Sequence, residues 1–191
     1  MGMSHDVESV PPETSKILDE IVLEYGCGYL VREAKPEVSY KLFRHLLEEG
    51  VPGLCISRQY PDRVRQRLGG MEARVLWLSH TPGDSHHNPT ALSALAKIVC
   101  KFIEDHPRSA ILLDGLEYLV INNGFLQALT CLEHINEFVM PRKALALVPV
   151  SPEAFKEREL ALLERNLEVI EYPLLRGTFD REIVNRLIDN Y

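Results

Sequence analysis

Apolar residues in this chain alternate between two periods. Short apolar runs of strand length stand at residues 28–32, 53–57, 74–79, 111–118, 144–149 and 167–172. Between them lie longer stretches in which apolar residues recur every three or four positions. These are 36–49 (Val38, Leu42, Phe43, Leu46, Leu47), 61–68, 89–105 (Leu92, Leu95, Val99, Phe102, Ile103), 124–138 (Phe125, Leu129, Leu132, Ile135) and 151–165. The first pattern predicts buried strands, and the second predicts helices with one core-facing side. The punctuation agrees. Pro36 suits a first turn and Gly50 a stop, Asn88 and Pro89 make a cap and first-turn pair, and Gly69-Gly70 end a short basic helix. Strands alternating with helices of this length need parallel crossovers. The expected class is α/β, a mostly parallel sheet between two layers of helices.

The pattern centres on residues 109–120, where Ile111-Leu112-Leu113 run into Asp114, Gly115 and Glu117. A buried strand on this apolar run would place Asp114 at its carboxyl end, the edge where open parallel sheets bind ligands. Residues 1–25 form a polar lead with Pro11-Pro12, followed by a short helix over 14–23 (Ile17, Leu18, Ile21, Val22). No linker interrupts the chain after residue 25, so 26–191 is expected to be one domain, closed by a helix over 178–188. Phe179, Ile183 and Leu187 form a stripe at helical spacing on that last helix. Both terminal helices are candidates for contact with the sheet or with a partner.

Composition narrows the classes. With 46% hydrophobic and 26% charged residues the chain is ordinary for a globular protein, which sets disorder aside. A net charge of −7 argues against nucleic acid or an anionic membrane as the main partner. No apolar stretch reaches the length of a membrane span. Cys27, Cys55, Cys100 and Cys131 form no Cys-x-x-Cys pair, and no secretory leader is apparent. Reduced thiols in a cytoplasmic protein are the expectation.

The order of parts resembles the RecA-like ATPases of the KaiC type. More specifically, residues 28–31, Ile56-Ser57-Arg58, residues 75–79 and residues 112–119 resemble an archaeal family known as "domain of unknown function 835". The resemblance spans about residues 26–173 and implies a three-layer RecA-like domain. Domains of that kind occur alone or attached to sensory and signalling modules, which implies a regulatory role without identifying a ligand. The ATPases carry Gly-x-x-x-x-Gly-Lys-Ser/Thr after the first strand, whose backbone N–H groups wrap the phosphates. Here the corresponding turn, residues 32–41, has no glycine; Pro36 removes a donor, and Glu33 and Glu37 would repel a triphosphate. The water-activating glutamate that these enzymes place after the second strand is replaced by Ser57-Arg58-Gln59. Asp114 matches their magnesium-assisting aspartate. With no phosphate cradle to serve, it is expected to bond nearby backbone or hydroxyl groups.

Other constellations are weaker. The loop from His80 to Asn88 holds three histidines and Asp84, but adjacent histidines do not readily face one ion and no common zinc spacing is present. Arg58, Arg63, Arg65 and Arg67 form a basic strip after the second strand, suited to an acidic partner or a phosphate. No Gly-x-Ser-x-Gly elbow frames a serine. The expectation is therefore a non-catalytic signalling or protein-interaction module without cofactor or metal, associating with itself. Arg63, Arg67, Phe179, Ile183 and Leu187 are its candidate contacts. The alternative is a ligand or nucleotide sensor that uses Arg32, Lys35, Arg58, His80 and Asp114 at the carboxyl edge of the sheet and does not hydrolyse.

Overall fold

Side chains alternate along every long strand between two apolar clusters, which is what a sheet buried on both faces requires. Leu30, Leu54, Ile56, Ile111, Leu113, Ala146 and Val148 enter one cluster. Tyr29, Val31, Cys55, Leu112, Leu145 and Leu147 enter the other. The computed structural model describes residues 23–83 and 85–171. The helices predicted over 14–23 and 178–188, with Phe179, Ile183 and Leu187, lie outside these residues apart from Leu23.

The described elements are β1 (Cys27–Arg32), α1 (Val38–Glu48), β2 (Gly53–Ser57), α2 (Pro61–Arg67), β3 (Arg74–Leu78), β4 (His86–His87) and α3 (Leu92–Asp105). They continue with β5 (Ala110–Asp114), α4 (Leu116–Asn123), α5 (Phe125–Arg142), β6 (Leu145–Val150), α6 (Glu157–Asn166) and β7 (Glu168–Glu171). The seven strands form one sheet in the order β4-β3-β2-β5-β6-β1-β7. All its pairings are parallel. Residues of α1 and α2 belong to the second cluster, and residues of α3, α4, α5 and α6 to the first. The α/β architecture read from the sequence is the one observed.

This topology defines where a ligand would be expected. The chain leaves β1 and β2 toward the α1–α2 layer, and leaves β5 and β6 toward the opposite layer. A crevice therefore opens at the carboxyl edge of the sheet, where neighbouring strands send their connections to opposite faces.

Several boundaries differ from the sequence reading. The central strand stops at Asp114 rather than running to Tyr118, and Leu116 begins α4. Leu116, Leu119 and Val120 are apolar in strand and helix alike, so periodicity alone does not mark the change. Asn88 does not cap α3, because its side-chain oxygen accepts from the backbone N–H and hydroxyl of Thr90, and the helix begins at Leu92. The predicted helix over 151–165 is divided into a 3₁₀ turn at Pro152–Ala154 and α6. The backbone N–H of Lys156 donates to Glu159 at the start of α6. The histidine loop contributes the short strand β4, paired with Trp77 and Leu78 of β3.

The α1 layer approaches the sheet closely at Gly53. A Cβ there would overlap Leu47 and come within 2.8 Å of Phe43, a side chain with no exposed surface. Gly53→Val is expected to lower stability by about 1–3 kcal/mol through overpacking, read from urea unfolding; an unchanged midpoint would contradict this packing.

Candidate functional site

The carboxyl-edge crevice is filled by the chain's own polar groups. After β1, the backbone N–H of Glu33 donates to Val150 at 3.0 Å, extending the β1–β6 ladder by one residue. This fixes Glu33 just ahead of α1, and its side chain, only 4% exposed, turns onto the start of that helix. Oε2 accepts from the backbone N–H groups of Glu37 and Val38, both at 2.8 Å. Oε1 accepts from the Ser39 N–H at 3.1 Å and from the Ser39 hydroxyl at 2.5 Å. The first N–H groups of a helix lack intrahelical partners and carry the positive end of its dipole, which makes them anion receptors. Here the anion is a carboxylate supplied by the same chain.

Burial raises the Glu33 carboxyl above its ordinary value, and the bonds from Ser39, Val38 and Glu37 pull it down. The three backbone N–H groups facing the oxygens can only donate and favour the ionised form, while the Ser39 hydroxyl can donate to a carboxylate or accept from a protonated carboxyl.

Asp114, at the end of β5, is engaged in a second cluster. Its Oδ2 accepts from the Ser57 hydroxyl at 2.8 Å and from the Tyr40 hydroxyl at 2.9 Å. Register places Ser57 beside Asp114 on adjacent strands, and the Gln59 N–H donates back to the Ser57 oxygen. Tyr40 comes from the first turn of α1, so the helix held by Glu33 also delivers the hydroxyl that reaches Asp114. Burial, with Cys55 and Asp114 near by, raises the Tyr40 phenol well above its ordinary value. Burial likewise pushes the Cys55 thiol up to about 12. Neither group is poised as a base or nucleophile at neutral pH. Arg67 of α2 closes the cluster: its guanidinium lies 3.7 Å from the centre of the Tyr40 ring and donates to the Pro36 carbonyl at 2.6 Å.

Each sequence-predicted site residue has its own surroundings. Arg32 lies on the α6 side of the sheet, 3.4 Å from Glu164. Lys35 is exposed in the turn before α1, and Arg58 is exposed after β2. His80 is bonded to Asn122 at 2.9 Å. Asp114 is the one member of the set inside the cluster. Of the arginine strip, Arg63 is exposed, Arg65 is exposed and pairs with Asp62 on its own helix, and Arg67 turns inward onto Tyr40.

His86 and His87 are consecutive residues of β4, so their side chains leave opposite faces of the strand. His87 is buried and bonded to the Ala91 carbonyl at 3.2 Å. Among the described residues, no group of three or more His, Cys, Asp or Glu is placed to hold a metal ion. Cys27, Cys55, Cys100 and Cys131 are all free thiols.

Sequence reasoning missed the role of Glu33, which it read only as repelling a triphosphate, and it passed over Ser39 and Tyr40. The available signal was an acid a few residues ahead of a helix whose first turn carries none of its own.

Comparison with known proteins places this geometry in context. A family model described as "Protein of unknown function (DUF835)" matches residues 32–167. No curated protein matches the chain. Among solved structures, the chain is similar to a Pyrococcus horikoshii OT3 protein studied as PH0250. The TM-score is 0.58 at 13% identity, covering 83% of this chain and 86% of that one. It is also similar to the KaiC-like protein PH0186 from the same archaeon. The TM-score is 0.55 at 8% identity, covering 77% of this chain and 73% of that one. At such identities the likeness is one of fold, a RecA-like α/β domain.

Removal of the Glu33 carboxylate strands buried donors. Glu33→Ala is expected to cost about 3 kcal/mol in urea unfolding, and added formate should recover part of the loss in the variant and not in the wild type. A near-neutral substitution would contradict the role assigned to Glu33. Burial, and after it the nearby His86, lowers the His87 imidazole below its ordinary value, against the Ala91 bond. Its contribution to stability is therefore complete above about pH 6.5 and is lost as pH falls toward the lowered value. His87→Gln should flatten that acid-side loss in urea midpoints; an identical pH profile would contradict the assignment.

Proposed function

The chain belongs to the DUF835 family, and on that premise we propose that it is a non-catalytic interaction module on a RecA-like domain, acting in regulation and associating with itself. The observation that carries this reading is the Glu33 carboxylate on the α1 N-terminus, where a RecA-type ATPase would hold a phosphate. A triphosphate there would meet a buried carboxylate already bonded to the three leading N–H groups of the helix. Asp114 is likewise engaged by Tyr40 and Ser57 rather than turned toward a metal–phosphate group. No glutamate follows β2, so a general base is missing where hydrolysis would need one. What remains for function is surface, including the exposed Arg58 and Arg63 and the exposed Tyr60, which packs edge-on against Trp77 at 5.4 Å.

The competing reading is a nucleotide or small-ligand sensor at the carboxyl edge. It requires Glu33 to leave its four donors, and two experiments separate the readings. In a thermal-shift titration, Mg–ATP, ADP and cyclic nucleotides at about millimolar concentration are expected to leave the midpoint unchanged. Light scattering at micromolar concentration is expected to give a mass that is a multiple of 21.7 kDa. A saturable upward shift with one nucleotide would favour the sensor, and a strict monomer would contradict self-association.

A further inference from the structure

Trp77 is the single tryptophan of the chain. Val75, two residues earlier on β3, enters the core cluster of the α1–α2 side, so Trp77 projects from that same face of the sheet. Yet it belongs to neither core cluster, nor to the half-buried side chains packed against them. It meets Tyr60 edge-on at 5.4 Å, and its indole N–H donates to the Arg58 carbonyl at 3.3 Å. Tyr60 is 56% exposed and also stands outside both clusters. This large aromatic pair adds nothing to the core among the described residues. Trp, Tyr and Arg are the side chains that dominate binding energy at protein interfaces, where the aromatic body is covered and the polar tip stays bonded.

The charge beside the pair has one sign. Arg58 and Arg63, both exposed, flank Tyr60 in the chain, and neither pairs with an acid among the described residues. The acids near by are engaged elsewhere: Asp62 with Arg65, Asp114 with Ser57 and Tyr40, and Glu117 with the Ser151 N–H. Asp84, in the loop after β3, lies outside the described residues. Two unpaired guanidiniums in a chain of net charge −7 are too few for a nucleic-acid strand, which is tracked by a continuous basic stripe. A two-fold contact of the patch with itself would set arginine against arginine, so a second copy fits badly. An acidic segment of another protein meets both features at once. Its carboxylates take the guanidinium forks, and an apolar residue between them covers the aromatic pair.

We propose that Trp77, Tyr60, Arg58 and Arg63 form the docking site for an acidic segment of a partner protein, one that carries an apolar residue between its carboxylates. This names the partner class of the interaction module proposed above and rests on that reading, though not on its self-association.

The single tryptophan reports on the site directly. Peptides of about twelve residues are selected from a random displayed library on the full chain, then titrated against Trp77 fluorescence. The selected peptides are expected to be rich in Asp and Glu around an apolar residue, to shift the Trp77 emission saturably, and to bind less tightly as salt rises. Arg58→Glu with Arg63→Glu should weaken binding at least about tenfold, as should Tyr60→Ala, whereas Lys97→Glu, on the opposite helix layer, should leave it unchanged. A peptide with its acids changed to lysine should bind the charge-reversed variant and not the wild type, which also shows that the variant folds. Peptides without an acidic bias, peptides that leave Trp77 fluorescence unchanged, or binding that survives the charge reversal would overturn the proposal. So would displacement of the peptides by a single-stranded oligonucleotide, which assigns the patch to nucleic acid. A multimeric mass in light scattering with no peptide bound removes this docking site and leaves self-association standing. A monomeric mass with the charge-dependent binding intact supports the docking site and removes self-association.

Discussion

The arrangement at the carboxyl edge depends on one carboxylate. Glu33 holds the start of α1 through three backbone N–H groups and the Ser39 hydroxyl, and it is itself anchored by a ladder bond to Val150. Charge-assisted bonds of this kind are stronger than neutral ones and are costly to break in a buried setting. Because α1 is fixed there, Phe43 and Leu47 seat on Gly53, and Tyr40 reaches across the crevice to Asp114. An anion receptor made by helix geometry has been satisfied from within, and the helix position has been kept.

The same substitution explains why the remaining acid of the fold is quiet. Asp114 sits where the topology would present it to a ligand, yet Ser57 and Tyr40 use one of its oxygens and Arg67 lies over the Tyr40 ring. The cluster ties β2, β5, α1 and α2 together by hydrogen bonds and a cation–π contact, each modest alone. The buried phenol and thiol beside it are shifted away from reactivity. This is the behaviour of a structural joint, consistent with a RecA-like fold whose phosphate loop has been replaced.

Much of the fold was legible in the sequence because two periods carried it: alternation to two faces in the strands, and one-sided stripes in α1, α3 and α5. Where both periods fit the same letters the reading failed. Leu116 to Val120 is apolar enough for either state, so α4 was absorbed into the central strand. Asn88 has the chemistry of a cap, but its oxygen is used by Thr90 one turn too early. The site was harder to read. The missing glycines and lysine of the phosphate turn were visible as absences, and the hydroxyl partners of Asp114 were foreseen as a type. The identity of those partners depends on strand register and on a helix crossing from β1 to β2, which no local pattern encodes. Glu33 is the clearest case, because an acid in a turn reads as solvated until the helix it caps is placed over it.

The most direct test of the central claim follows the backbone amides of Glu37, Val38 and Ser39 in a ¹⁵N-labelled full chain while Mg–ATP is added. With Glu33 seated on these groups, their resonances should stay where they are up to about millimolar nucleotide, a concentration at which weak phosphate sites still fill. A saturable displacement of those three signals would show that a phosphate can take the position from the carboxylate, and would contradict the account.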